Sequence, residues 1–203
     1  MKVLIVKTSS MGDIVHTLPA LTDASNAIAD IRFDWVVEEG FKDIPKWHSS
    51  VDRVIPVSIR RWRKAPLKAW CSGEWAEYRR QLQLEEYEAV IDAQGLIKSA
   101  VLVAAQAQGD VHGYDRQSIK EPLASKFYQH SYAISKEQHA VERIRQLFAK
   151  ALHYEVRQKR GDYGIRAHFE SGTGDYLVFN HSTTRADKHY PEVYWRELIA
   201  LAA

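Results

Sequence analysis

Apolar residues first cluster at Val3-Leu4-Ile5-Val6, a compact β-branched run flanked by Lys2 and Lys7. Such a run predicts a strand of a parallel sheet, buried on both faces. The polar residues 8–13 follow as a loop. Ile14, Leu18, Leu21 and Ile28 then recur at spacings of three, four and seven, which is one face of a helix. Asp13 stands where an N-cap belongs. Pro19 has no amide hydrogen and is expected to bend this helix. Residues 31–37 and 51–57 read as strands, rich in β-branched and aromatic side chains. Residues 74–84 read as a charged helix, 89–91 as a short buried strand and 96–106 as a helix. Residues 138–152 form a strongly patterned helix, with Val141, Ile144, Leu147, Phe148 and Leu152 on one stripe. Strand and helix alternate. The fold class expected is therefore α/β, a Rossmann-like parallel sheet with helices on both faces.

The periodicity fades between Tyr154 and Gly174, where polar residues accumulate. The expected organisation is a first domain over 1–155, a linker over 156–174 and the start of a second domain over 175–203. In that last piece residues 176–179 read as a strand, 182–184 as a turn, and Pro191 as the first turn of a helix. One strand and one helix cannot bury a core of their own, so the second domain is expected to be incomplete.

Composition narrows the classes. The chain has 203 residues, 45% hydrophobic and 27% charged, which is ordinary for a globular protein and against disorder. A net charge of +2 argues against wholesale nucleic-acid binding. The one cysteine, Cys71, excludes an intramolecular disulfide and an all-cysteine metal cage, and suits a reducing cytoplasm. No run approaches the roughly 18 apolar residues of a spanning helix. The N-terminal apolar run is too short for a signal peptide. Action at a membrane would then be at its surface.

Three places could carry chemistry. Asp13 lies beyond the carboxyl end of the first strand, where open α/β sheets bind ligands. It fits a helix cap or a general base for a hydroxyl nucleophile. The loop lacks the spacing of a P-loop and of a Gly-x-Gly-x-x-Gly dinucleotide loop, which removes the main support for kinase and dehydrogenase readings. The second place is the basic loop Arg60-Arg61-Trp62-Arg63-Lys64, with Lys68 nearby. It fits a solvated charged loop or an anion site in which arginine forks engage phosphate or carboxylate. The third is Asn180-His181-Ser182-Thr183-Thr184 through Lys188, a plain turn or a weak phosphate cradle. The histidines show no metal-ligand spacing, and no metal is expected.

Several segments together resemble a known family. They are Val3 through Asp13 with His16-Thr17-Leu18-Pro19-Ala20-Leu21, Phe33-Asp34-Trp35-Val36-Val37-Glu38-Glu39, the 60–64 loop, Val90-Ile91-Asp92-Ala93-Gln94-Gly95, His139-Ala140-Val141-Glu142-Arg143, and Thr183-Thr184-Arg185 with Asp187-Lys188-His189. Their combination resembles the ADP-heptose:lipopolysaccharide heptosyltransferases, in the branch that adds the first core heptose, and it spans nearly the whole chain. The resemblance implies an inverting glycosyltransferase of the two-domain GT-B architecture that needs no metal or cofactor. Its donor substrate would be ADP-heptose and its acceptor Kdo2-lipid A. It implies a monomer in the cytoplasm, peripheral on the inner membrane. Asp13 matches the family's proposed base. Arg60, Arg61, Arg63 and Lys64 match its acceptor-binding loop. Lys120, standing where an arginine is expected, keeps the charge but not the fork. Thr183, Thr184 and Lys188 match donor-diphosphate contacts. Residues 66–73 depart from the family pattern. Most of the donor domain would lie beyond these residues, so the chain alone is expected to be inactive. A transferase adding a later heptose, and a non-catalytic module that holds lipid A headgroups, are the competing readings.

Overall fold

Strand β1 (Lys2–Val6) sits mid-sheet because its side chains are apolar in both directions. Val3 and Ile5 enter one core and Leu4 and Val6 the other, all fully buried. The computed structural model describes residues 1–169, 177–179 and 186–202. Around β1 the six strands run in the order β3-β2-β1-β4-β5-β6, with β2 at Arg32–Glu38, β3 at Val51–Val57, β4 at Ala89–Asp92, β5 at Val111–Tyr114 and β6 at His130–Tyr132. Every pairing is parallel, as the α/β reading expects. All carboxyl ends therefore fall along one edge, and β1 and β4 meet where the strand order changes direction, the position that binds ligands in open α/β sheets.

One face of the sheet is covered by Ile14 of α1 (Met11–Val15), Leu18 and Leu21 of α2 (Leu18–Ala27), and Ile144, Leu147 and Phe148 of α7 (Ala140–Ala151). The other carries Ile59 of α3 (Ile59–Lys64), Tyr78 and Leu82 of α5 (Glu74–Leu82) and Val103. Between α3 and α5 lies α4 (Pro66–Cys71), and α6 (Ile97–Leu102) follows β4.

Several expectations need correction. The helix after β1 does not bend at Pro19. It breaks at His16 and Thr17, and Pro19 occupies the first turn of α2, where its missing amide hydrogen costs nothing. The basic run at 60–64 is not a loop but helix α3, because the Glu38 carboxylate accepts the Arg60 amide at 2.9 Å and supplies a partner for a free helix-end N–H. Strands β5 and β6 lie where the sequence shows no strand pattern, because the polar His112, His130 and Ser131 break any apolar run. A Cβ on Gly113 of β5 would collide with the ring of Tyr128, so only glycine lets that tyrosine lie across the strand.

The first compact unit covers Met1–Phe169, beyond the expected boundary at 155. Residues 156–169 have little regular structure, yet Tyr163 and Ile165 pack on the core. The fully buried Arg145 explains part of this. It grips Asp23 of α2 at 2.6 Å and the carbonyl of Gln158 at 2.7 Å. In the second unit, Ala186–Lys188 form a 3₁₀ turn and α8 spans Glu192–Ala202. Leu177, Val178 and Phe179 carry no regular structure where a strand was expected. Phe179 and Tyr190 each pack edge-on against Trp195. Among the described residues no helix is long and apolar enough to cross a membrane.

Candidate active site

The carboxyl ends of β1 and β4 are stitched together by side chains. The buried Lys7 ammonium donates to the Ala93 carbonyl at 2.9 Å, across 86 positions of sequence. Gln94 Oε1 accepts the amides of Thr8 at 3.0 Å and Ser9 at 3.1 Å. Trp35 of β2 donates its indole N–H to the Lys7 carbonyl at 3.0 Å. These contacts fix the backbone that leads into α1.

Asp13 is not the N-cap residue of α1 but takes part in its cap, as the acid of a capping box. Ser10 is the N-cap residue, and Asp13 is the third residue of the helix, reaching back to it. Asp13 Oδ2 accepts the Ser10 amide at 2.8 Å and the Ser10 hydroxyl at 2.9 Å. A carboxylate in a first helical turn also meets the positive end of the helix dipole. Both bonds fall on Oδ2, and among the described residues Oδ1 accepts from none. The residue is half-buried. Burial pushes its carboxyl group up, but the Ser10 amide, the Lys7 ammonium and the Ser10 hydroxyl outweigh that and hold it below the usual carboxylate range. Asp13 is thus a charged, anchored carboxylate with one oxygen to spare.

A supporting layer lies behind it. Burial lowers the Lys7 ammonium from its usual range, opposed by Asp13 and Asp92. Asp92, fully buried at the end of β4, accepts from the Gln94 and Gly95 amides, Ser99 Oγ at 2.9 Å and the Tyr128 hydroxyl at 2.8 Å. Burial raises its carboxyl group against those four donors. Lys120 flanks the same edge, since the amide of the next residue, Glu121, donates to the Gly95 carbonyl at 3.4 Å. Lys120 is exposed. Arg143 donates to the Ser118 carbonyl at 2.6 Å and stacks 4.9 Å over the Tyr114 ring. Lys7, Asp92, Gln94 and Arg143 each lie in a segment that carries the family resemblance, but the sequence assigns none of them a role. The usable signal was their place: Lys7 directly follows β1, and Asp92-Ala93-Gln94-Gly95 closes β4.

Helix α3 follows β3 and so lies along the same carboxyl edge. The four basic residues are not equivalent. Arg61 is engaged by Glu74 at 2.7 Å, Ser58 at 3.1 Å and Glu39 at 3.9 Å, and its guanidinium is pushed up chiefly by Glu74. Arg60, Arg63 and Lys64 are exposed and make no side-chain ion pair among the described residues. Arg60, Arg61, Lys64 and Lys68 line a cleft of about 410 Å³ with Glu74 as its one acid. Trp62 is less of a contact surface than its setting suggests. Its indole donates to Glu74 at 2.9 Å and its ring packs edge-on to Trp75 and Tyr78. The arrangement can hold an anion of several charges on the sheet edge that also carries the Asp13 carboxylate.

Of the expected diphosphate contacts, Thr183 and Thr184 lie outside the described residues. Lys188 ends the 3₁₀ turn of the second unit and is exposed.

Comparison with known proteins gives these features a context. Residues 75–203 match the model of glycosyltransferase family 9 (heptosyltransferase). The chain is 60% identical over 207 positions to lipopolysaccharide heptosyltransferase 1 of Escherichia coli (strain K12), covering all of this chain and 65% of that relative. The chain thus spans less than two thirds of its relative's length. Two solved structures of E. coli heptosyltransferase WaaC are similar to it. The one with ADP is 60% identical at a TM-score of 0.95, over 99% of this chain and 64% of that one. The one with ADP-2-deoxy-2-fluoro heptose is 59% identical at a TM-score of 0.94, over 99% and 65%.

Proposed function

Since the chain belongs to glycosyltransferase family 9, the heptosyltransferases, we propose that it forms the acceptor-side part of an inverting enzyme that moves L-glycero-D-manno-heptose from ADP-heptose to Kdo2-lipid A. The reaction belongs to lipopolysaccharide inner-core synthesis. Identity of 60% to a lipopolysaccharide heptosyltransferase 1 favours the first core heptose over a later one. The ADP and ADP-sugar analogue held by the similar structures support the donor class.

The observation that carries this reading is the Asp13 carboxylate, anchored to Ser10 through Oδ2 with Oδ1 open at the carboxyl edge. An acceptor hydroxyl placed there gives its proton to Oδ1 as its oxygen forms a bond to the anomeric carbon. The bond from that carbon to the diphosphate oxygen breaks on the opposite face, ADP departs, and the configuration inverts. Asp13 is a weak base at rest, because Ser10 and Lys7 stabilise its charge. Proton transfer therefore accompanies bond formation, when the attacking hydroxyl becomes acidic.

The cations sort by role. Arg60, Arg61, Arg63, Lys64 and Lys120 meet the carboxylates of Kdo and the phosphates of lipid A. Guanidinium forks suit both groups. Thr183, Thr184 and Lys188 take the donor's diphosphate, where the lysine charge offsets the leaving group without a metal. The two sets fall in separate domains, as in the GT-B architecture that the reading implies. The acceptor domain spans 1–155, the linker 156–174, of which 156–169 packs onto the first compact unit, and the donor domain starts from 175. Residues 1–203 alone would then be inactive. The complete protein acts as a monomer, peripheral on the cytoplasmic face of the inner membrane. Release of ADP from ADP-heptose on adding Kdo2-lipid A tests the reading. Transfer that survives Asp13→Asn at a normal rate would leave the aspartate as a helix-end residue only.

A further inference from the structure

Helix α4 presents large apolar side chains to solvent. Leu67 is 81% exposed and Trp70 72% exposed. They stand three residues apart, so they share one face of the helix. Ala69, buried, is the residue that anchors α4 to the body. Trp70 also closes one side of an open apolar groove of about 340 Å³ formed with Ile59, Pro66, Trp75 and Leu102. Around this apolar ridge stand the exposed cations Arg63, Lys64 and Lys68. The nearby acids are already engaged: Glu74 by Arg61 and Trp62, and Glu77 by Arg80.

We infer that α4 is a membrane-contacting element, which sets Leu67 and Trp70 into the surface of an anionic phospholipid bilayer while Arg63, Lys64 and Lys68 meet its headgroups. The charge argument selects this occupant. A tryptophan and a leucine ringed by cations of one sign match the make-up of helices that lie in a bilayer interface. Tryptophan favours that depth in particular. Basic side chains beside it gain from the negative surface of anionic lipid. A protein interface core would instead be depleted of charge, lysine above all. The inference deepens the proposed function, on which it rests for the lipid nature of the acceptor. It places the contact beside the α3 cleft, so that a headgroup rising from the bilayer meets Arg60 and Lys64 first.

Co-sedimentation of the complete protein with phospholipid vesicles tests this, since no donor or acceptor is needed. Vesicles of phosphatidylcholine with about one third phosphatidylglycerol are compared with pure phosphatidylcholine. The variant is Leu67→Ser with Trp70→Ser, both at exposed sites where folding is not at stake. The unaltered protein is expected to bind the anionic vesicles and hardly the neutral ones, and to release as added salt shortens the screening length below its roughly 8 Å at physiological ionic strength. The double variant should bind at least tenfold less. Turnover of a deacylated, water-soluble Kdo2-lipid A backbone should be the same for both proteins. Equal vesicle binding by the two proteins, or none by either, would overturn the inference. In that event, normal turnover of the deacylated acceptor would leave the transferase reading standing. Absence of turnover in both proteins would instead count against that reading, with the vesicle result still deciding the role of α4.

Discussion

Asp13 is bound to Ser10 through a single oxygen: Oδ2 takes both the Ser10 amide at 2.8 Å and the Ser10 hydroxyl at 2.9 Å. This leaves the carboxylate oriented but not saturated. An oriented group avoids reorganisation at the moment of reaction, and an unsaturated one can receive a proton. Four measurements probe this relationship and its surroundings.

Asp13→Asn keeps an acceptor for the Ser10 amide and removes the base. In the complete enzyme it is expected to lower turnover by about 10² to 10⁴. Donor binding should be retained, because the proposed donor contacts lie in the other domain. Rates of ADP release and a donor titration, on the same preparations, separate these effects. A variant within a few-fold of normal would sink the assignment.

Ser10→Ala removes one of the donors that hold the Asp13 carboxyl group low. The sign follows directly. A depressed carboxyl group keeps its charge above its ordinary range and loses it only as pH falls through the depressed value. Without the hydroxyl, burial is less opposed, so the acid limb of kcat/KM should move to higher pH. The plateau rate near neutrality should change little. An acid limb that stays in place would show that this hydroxyl does not tune the base.

Replacing Arg63 and Lys64 together by alanine should raise KM for Kdo2-lipid A and flatten its salt dependence, while kcat and donor affinity hold. Both side chains are exposed and unpaired among the described residues, so the melting temperature should not move. Arg61→Ala should behave differently. It strips Glu74 of its guanidinium partner, letting that carboxyl group rise toward its usual range and loosening the join between α3 and α5. Acceptor kinetics with thermal melts of both variants would tell them apart. Unchanged acceptor KM in the double variant would remove the role proposed for α3.

Arg145→Met leaves the Asp23 carboxylate buried without its partner. Breaking one side of a buried ion pair typically costs roughly 3–5 kcal/mol. Chemical denaturation should report a loss of that order. The Arg145 bond to the Gln158 carbonyl also goes, so residues 156–169 should become more open to proteolysis. A loss below about 1 kcal/mol would mean that the pair is no keystone of the α2–α7 contact.

The sequence by itself determined the class of the fold and the address of its chemistry. The short apolar run at 3–6, β-branched at Val3, Ile5 and Val6 and closed by a polar loop, suits a strand covered on both faces, and the stripe on 138–152 suits a helix. A period is a local property, so it is legible without contacts. A polar loop after a central strand likewise marks a ligand edge from order alone. The tertiary structure decided whatever depends on residues far apart. The charge on Asp13 is held in part by Lys7, itself locked to Ala93 across 86 positions. The basic run became a helix because Glu38, 22 positions earlier, supplies its amide partner. Arg61 was set apart from Arg63 and Lys64 by Glu74, on another helix. Strands β5 and β6 carry little apolar pattern and exist because β4 offers an edge to pair with, Gly113 leaving room for Tyr128 to reach Asp92. Each of these is a contact energy between distant positions, and no window of neighbouring residues contains it.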